Sequence, residues 1–322
     1  MRRLATGPID RVPDHFDTNW EKLQYLRSRA QRLSNKLLGR PATPETAILA
    51  SMVSQLLEAT QTWLGDSHCI DAVVLSSPDR IRLNDEELGD IFDYLKLRNL
   101  MIDGPRSIYQ LYATSAAYAG YGKGLCRTYT DAYACEHEEA QLPHNRVLQL
   151  DLNSKSLSGT WKTLQSANGG LVEAQFVDFE LGSAREGMAP EGDEYWAVVF
   201  DRVREFVESL ADRVYMPRVT ELLLTGPAAT ERGFQIVVRE ALYGLVADES
   251  VLAPLESSNV TADSQVEWES LFSFATARGA AEMAKRRQEG PVGCGQSDEC
   301  RRRRDSVHGE RGPTFMNQQP DT

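Results

Sequence analysis

Residues 147–156, VLQLDLNSKS, form an apolar strand that delivers an aspartate, Asp151, into a turn. Valine and leucine favour a half-buried pleated strand, and Asn153, Ser154, Lys155 and Ser156 supply the polar turn that ends it. Two further β-like runs follow over 157–164 and 171–179, the second alternating as Val172, Ala174 and Phe176, so a meander of three strands is predicted. Downstream, the spacing of Val198, Val199, Val203, Phe206, Val207 and Leu210 predicts a helix over 195–210. A strand over 219–226, VTELLLTG, ends in a turn and leads to a helix over 234–242. A polar loop over 248–265 precedes the last ordered element, a helix over 271–287. Residues 288–322 are rich in Gly, Arg, Gln and Asp and almost free of apolar side chains, a composition expected to stay disordered.

Toward the N-terminus, Asp17 or Thr18 caps a helix with Trp20, Leu23, Leu26, Ala30, Leu33 and Leu37 at spacings of three and four, ending at Gly39. Thr43-Pro44-Glu45 opens a second helix, with Ile48, Met52, Leu56, Ala59 and Trp63 on one stripe and Gly65 as its stop. Residues 71–78, DAVVLSSP, read as a short buried strand closed by a proline. Residues 84–95 return to helical period with Leu88, Ile91, Phe92 and Leu95 inward, and 97–102 read as another strand. Strand, helix, strand implies a parallel crossover unit. Residues 107–121 form a small-residue helix suited to close packing, and the polar segment 123–145, with Pro143, is the expected lobe boundary.

At 322 residues with 41% hydrophobic content, the chain can bury one large core or two ordinary ones. Its net charge of -12 is uneven: residues 1–43 carry nine basic against four acidic side chains, residues 44–287 carry 21 against 37. An acidic body repels phosphate backbones, so no nucleic-acid partner is expected, and the basic arm is expected to lie on its own acidic body. No apolar run reaches the roughly eighteen residues of a membrane span, and the opening MRRLATGP lacks a signal peptide's apolar core. No membrane partner and a cytoplasmic address follow. Lys285-Arg286-Arg287 and, thirteen residues on, Arg301 to Arg304 resemble a bipartite nuclear import signal; the plainer reading is a charged helix end and a solvated tail. Cys126 and Cys135 flank a short loop and are expected as free thiols in a reducing compartment. His137 and His144, with Glu136, Glu138 and Glu139, form either a weak metal cluster or, more plainly, a solvated acidic face. Asn259-Val260-Thr261 is a glycosylation sequon without a secretory route. Gly120 to Gly124, GYGKG, follows a helix and reads as helix termination, not a nucleotide loop.

The order of motifs resembles the actin-like ATPases, the superfamily of actin, sugar kinases and the heat-shock-protein-seventy chaperones. Residues 44–78, PETAILASMVSQLLEATQTWLG followed by DAVVLSSP, resemble the chaperone segment in which a long helix ending in an aromatic residue, leucine and glycine precedes a strand ending in proline. TSAAYAGYG, residues 114–122, resembles the interlobe helix; ELLLTGPAATERGFQIVVREAL, residues 221–242, resembles the adenosine-side turn and its helix. FATARGAAEMAKRR, residues 274–287, is similar to the final interlobe helix, where Gly279-Ala280-Ala281 allow close packing. The resemblance covers residues 44–287. It implies an α/β fold of two ribonuclease-H-like lobes, the first incomplete and the helical subdomains reduced. The domains are then a basic arm over 1–43, a partial first lobe with its interlobe helix over 44–125, a connecting loop over 126–146, a second lobe over 147–287 and a tail over 288–322.

In that family the turn matching Asp151 carries two or three glycines, which let backbone N–H groups reach the nucleotide's phosphates while the aspartate organises the metal. Here Asn153, Ser154 and Lys155 replace them. The first phosphate turn and its lysine have no counterpart before Pro44, the glutamate of the interlobe helix falls near Leu111 or Tyr112, and 182–195 leaves little room for an adenine-clasping subdomain. Losing three charge-assisted contacts costs about 4 to 9 kcal/mol, or three to six decades of affinity. The resemblance therefore implies a pseudo-ATPase acting as a binding or scaffold protein for a protein partner not identified by the sequence, with no catalytic residue, no resident metal and no cofactor. ATP and magnesium enter only if the cleft still functions, and its vestigial residues are Asp151, Lys155 and Gly226. Asp151 has two readings, a relic of the metal site or an ordinary turn cap, the second preferred; Lys155 is the one candidate to replace the missing lysine; Gly226 serves a tight turn. The alternatives are an active ATP-dependent chaperone or kinase-like enzyme whose N-terminal segment is missing, and an accessory protein holding another small molecule in the old cleft.

Overall fold

A computed structural model describes residues 18–65, 69–81, 83, 85–102, 110–184, 192–211, 218–259 and 262–290. The arm before Thr18, residues 185–191 of the 182–195 connection, the last two sequon residues and everything beyond Gly290, including Arg301 to Arg304, lie outside the described residues. The fold is mixed α/β. In chain order it runs α1 (Asn19–Leu37), α2 (Pro44–Leu64), β1 (Ala72–Val73), β2 (Ser76–Ser77), α3 (Asp85–Leu95), β3 (Arg98–Asn99), β4 (Leu111–Tyr112), α4 (Ala113–Gly120), α5 (Ala132–Ala140), β5 (Asn145–Asn153), β6 (Ser156–Leu164), β7 (Leu171–Asp178), α6 (Gly192–Ala211), β8 (Glu221–Thr225), α7 (Arg232–Leu242), a 3-10 stretch (Glu249–Asn259) and α8 (Ala262–Glu289). No described helix is long and apolar enough to cross a membrane.

The principal sheet has the order β7-β6-β5-β8, with β5, β6 and β7 antiparallel and β8 parallel to β5. Its strands alternate, so one face of β5 presents Leu148, Leu150 and Leu152 and the other Val147, Gln149, Asp151 and Asn153. The leucine face meets Val199, Val203 and Phe206 of α6 and Phe234 and Val238 of α7 in the largest buried cluster. Val147, with Leu223 of β8, packs instead against Ala117 and Tyr118 of α4 and Ala275 of α8. The sheet is thus covered by α6 and α7 on one side and by the crossing of α4 and α8 on the other.

That crossing explains the small residues. A Cβ on Gly279 would fall on the Ala116 carbonyl and one on Gly120 on the Ala275 carbonyl, so the two helices touch backbone to backbone. Tyr121, just past α4, donates its hydroxyl to the Leu224 carbonyl (2.8 Å) and accepts from the Leu224 amide (3.2 Å), tying the helix end to β8.

The first part of the chain is built differently. β1 pairs in parallel with β3 and β2 with β4, two ladders of two residues each. The strand expected over 97–102 is confined to Arg98–Asn99 before the chain turns, and the one expected over 71–78 is two short pieces. The helix expected over 107–121 is shorter too: Leu111 and Tyr112 are strand, and the helix begins at Ala113. Leu111 side by side with the alanine run looked helical because the apolar pattern continues across the boundary. The connecting loop over 126–146 contains a helix, α5, capped by Asp131, whose carboxylate accepts from the Tyr133 and Ala134 amides. Likewise the 248–265 loop is largely 3-10 helix, and α8 begins nine residues before the expected 271.

α1 starts with a capping box, Thr18 with Glu21. Arg32 pairs with Glu86 and Asp90, and Lys36 with Asp90 and Asp93, so α1 lies by its basic side chains on α3. Its apolar positions Trp20, Leu23, Leu26, Leu33 and Leu37 are exposed, as are Ile48, Met52, Leu56 and Trp63 of α2. α2 buries Thr46 and Ala50 instead.

Candidate functional site

The site is built on the polar face of the principal sheet. Gln149 lies opposite Thr160 and Asp151 opposite Ser158, while Thr160 and Ser158 lie opposite Gln175 and Val177 of β7. This face is roofed by residues 78–81, the start of α4 and Thr276 of α8, leaving a cleft of about 240 Å³. Asp79, Gln149, Asp151, Asn153 and Thr160 are among its walls.

Its floor is a chain of hydrogen bonds that runs between the two parts of the molecule. The Asp79 Oδ2 atom accepts from the backbone amide (2.9 Å) and the hydroxyl (2.8 Å) of Thr114. The Thr114 hydroxyl also lies 2.5 Å from Gln149 Oε1, and its single proton serves either that oxygen or Asp79; Gln149 donates to the Thr225 hydroxyl (3.0 Å), and Thr225 donates to Asp151 Oδ2 (2.9 Å). Asp79 therefore supplies, from a distant loop, the cap that Tyr112 does not give to α4. Gln110 fixes that loop by donating to Ser77 Oγ (2.5 Å) and the Ile81 carbonyl (2.6 Å).

Behind this chain sits Lys162, its side chain 2% exposed. The ammonium donates to Ser115 Oγ (2.8 Å), lies 3.9 Å from Asp79 Oδ1 and 5.3 Å from the centre of the Tyr112 ring. Burial pushes its pKa below the ordinary 10.5, with Asp79 opposing the shift. A buried lysine beside a buried carboxylate is the kind of pair that marks functional sites and structural joints alike.

The Asp151 turn is closed on itself. Asn153 pairs with Ser156, so Ser154 and Lys155 form a two-residue hairpin loop, and among the described non-glycine residues only Lys96 has a positive φ. The hairpin therefore does without left-handed backbone. Asn153 Oδ1 accepts from the amides of Lys155 (2.9 Å) and Ser156 (3.2 Å), an Asx-type turn. Its amide nitrogen donates to Asp151 Oδ1 (2.9 Å) and Ser156 Oγ (3.2 Å). Two of the turn's N–H groups, those of Lys155 and Ser156, are thus already satisfied by a side chain.

Of the three residues nominated from sequence, only Asp151 lines the cleft. Lys155 is exposed on the hairpin and is not among the lining residues. Gly226 is also outside the lining: at φ +96° it turns from β8 against β5, where a Cβ would strike the Leu152 carbonyl. Asp79, Thr114, Lys162 and Gln175 were missed. Each is a lone polar residue on a different element, and the usable signal was the alternation of polar residues along β5 and β6, Gln149, Asp151, Asn153, then Ser156, Ser158, Thr160.

Cys126 and Cys135 are joined in a disulfide, correcting the expectation of free thiols. The bridge fastens the start of α5 to residue 126, whose carbonyl accepts from Arg286 of α8 (2.5 Å). The His137 and His144 cluster does not form among the described residues: His137 meets Gln141, and Glu138 caps the 127–128 backbone. The atoms that do gather are the two bridged sulfurs and a Glu139 oxygen.

Comparison with known proteins gives no match to any protein-family model and none to a curated protein sequence.

Proposed function

We propose that the chain is a degenerate actin-like ATPase domain of the heat-shock-protein-seventy type that works as a binding or scaffold protein without hydrolysing ATP. The observation that carries this reading is the Asp151 turn, in which Asn153 occupies the Lys155 and Ser156 amides. Phosphoryl transfer relies on backbone donors and cations placed around the phosphates. A turn that spends two of its amide donors internally and places Lys155 in solvent is poorly equipped for both.

Two further features support it. Three antiparallel strands, a helix, a parallel strand and a helix follow one another from β5 to α7, the order that the resemblance implies for a second lobe. The α1 and α2 faces expose Trp20, Leu23, Leu26, Ile48 and Met52, more contiguous apolar sequence than a solvated helix needs. On α1 these side chains are interleaved with Lys22, Arg27 and Arg29, so the surface suits a partner that presents an acidic amphipathic helix.

The test is a phosphate-release assay on the full chain combined with thermal unfolding in the presence of millimolar ATP and magnesium. The reading requires no release above buffer and no shift of the midpoint, since a ligand at a hundredfold excess over its Kd adds about 2.7 kcal/mol. A magnesium-dependent rise in the midpoint overturns it.

A further inference from the structure

We propose that the Cys126–Cys135 disulfide is a thiol-exchange site, opened by attack of a small uncharged thiol on Cys135 with Cys126 as the leaving sulfur. Neither cysteine lines the cleft, so the site is separate from the one around Asp151.

The bridge is not the loop's only fastening. It joins residues nine apart in sequence, and a cross-link over so short a span restrains the unfolded chain less than a long-range one does. Glu138 of α5 closes the same loop a second time, its carboxylate accepting from the Arg127 amide (2.6 Å) and the Thr128 hydroxyl (2.6 Å). Asn168 holds Glu139 (3.1 Å), and Gln165 donates to the carbonyls of Ala140 (2.9 Å) and Leu142 (3.1 Å) at the far end of α5. With the bridge open, these contacts keep the two sulfurs close enough to join again.

The two sulfurs have unlike surroundings. Cys126 is 2% exposed, whereas Cys135 is half-buried, so the approach from solvent leads to Cys135. Arg286 Nη1 lies 3.4 Å from Cys126 Sγ and donates to the Cys126 carbonyl (2.5 Å). The guanidinium is held in turn by Glu282 (3.0 Å) and by the Tyr129 ring (4.8 Å to its centre), so it stands ready for negative charge on that sulfur. Cys135 has instead the buried Glu139 carboxylate 3.9 Å from its sulfur. A neighbouring cation favours a thiolate and a carboxylate opposes one, which makes Cys126 the better leaving group. Glu139 also repels an anionic thiol, so the reductant is uncharged. The Arg286 cation argues equally against a metal ion held by the two sulfurs and Glu139.

In the first step a thiolate RS⁻ bonds to Cys135 Sγ, the Sγ–Sγ bond breaks, and its electron pair leaves on Cys126 as a thiolate beside Arg286. In the second, another RS⁻ attacks the outer sulfur of the mixed disulfide, forming RSSR and releasing the Cys135 thiolate, which takes a proton from solvent. Two small thiols are oxidised and one protein disulfide is reduced.

The experiment treats the full oxidised chain with 2-mercaptoethanol, quenches with excess N-ethylmaleimide and maps both cysteines by peptide mass spectrometry. The expected early product carries the mercaptoethanol adduct on Cys135 and maleimide on Cys126. Arg286→Gln should slow opening roughly tenfold, Arg286→Lys should keep most of the rate, and glutathione, an anion, should react more slowly than 2-mercaptoethanol at equal thiolate concentration. Reduction should shift the thermal midpoint by less than about 4 °C. Should Arg286→Gln fold poorly, the labelling pattern of the parent chain decides. The reverse labelling, a bridge that resists thiol until the chain unfolds, glutathione reacting the faster, an opening rate unchanged or raised in folded Arg286→Gln, or loss of cooperative unfolding on reduction overturns the proposal.

Discussion

The two parts of this molecule solve the burial problem in opposite ways. From β5 to α8 a four-stranded sheet has helices on both faces, and its leucines and valines are almost wholly removed from water. From α1 to β3 the strands are two residues long, and α1 buries no side chain fully. The later part is held by apolar burial, the earlier by ion pairs of Arg32 and Lys36 and by a small cluster around Ala50, Leu88, Ile91 and Phe92. What joins them is the α4–α8 crossing and the Asp79–Thr114–Gln149 relay. The difference teaches that the polar cleft is a property of the joint, since neither part builds it alone.

The joint is also where the contrast is most easily broken. Gly279→Leu places a side chain against the Ala116 backbone, and overpacking that cannot relax should cost more than about 4 kcal/mol. Circular dichroism and thermal unfolding should show loss of cooperative folding. Asp79→Ala should come next, at about 3 kcal/mol, because it removes the α4 cap and leaves Lys162 without its carboxylate. Denaturant unfolding measures it.

Tyr121→Phe removes two hydrogen bonds to Leu224 and should cost about 1 to 2 kcal/mol. Its pH dependence sharpens the assignment. Burial, and secondarily the charge of Glu221, hold the phenol well above its ordinary 10.0, with the Leu224 contact opposing. Because the folded pKa is raised, this stability is present below pH 10 and fades as the pH climbs toward the folded value. The Tyr121→Phe protein should lose less stability than the parent between pH 10 and pH 11. At the other extreme, Leu26→Glu on exposed α1 should change stability by less than about 0.5 kcal/mol. A large loss would mean that this face is covered in solution, and the comparison of the two parts would fail.

The elements of the later part were legible because their periodicity is long and unmixed. Residues 147–153, 195–210 and 234–242 were each read as the element that forms, since burial on one face leaves a clear pattern. α5 was hidden by its polarity, AYACEHEEA, with only the Asp131 cap as a signal. The apolar positions of α1 and α2 were legible, but whether they face a core depends on what lies beside them. The cleft was half legible. Asp151 stood out at a strand end, whereas Asp79 and Gln175 line the same cleft, and Lys162 reaches Asp79, only because the folded chain brings together residues far apart in sequence. The closure of the turn by Asn153 was written in the sequence as an Asx signal, but its consequence for phosphate binding depends on which amides its oxygen reaches.

The central claim is that the Lys155 and Ser156 amides are not available to phosphate. Amide NMR of the full chain, titrated with ATP and magnesium to millimolar concentration, tests it directly. The account predicts that the Lys155 and Ser156 resonances stay in place throughout, and a saturable shift of either would contradict it.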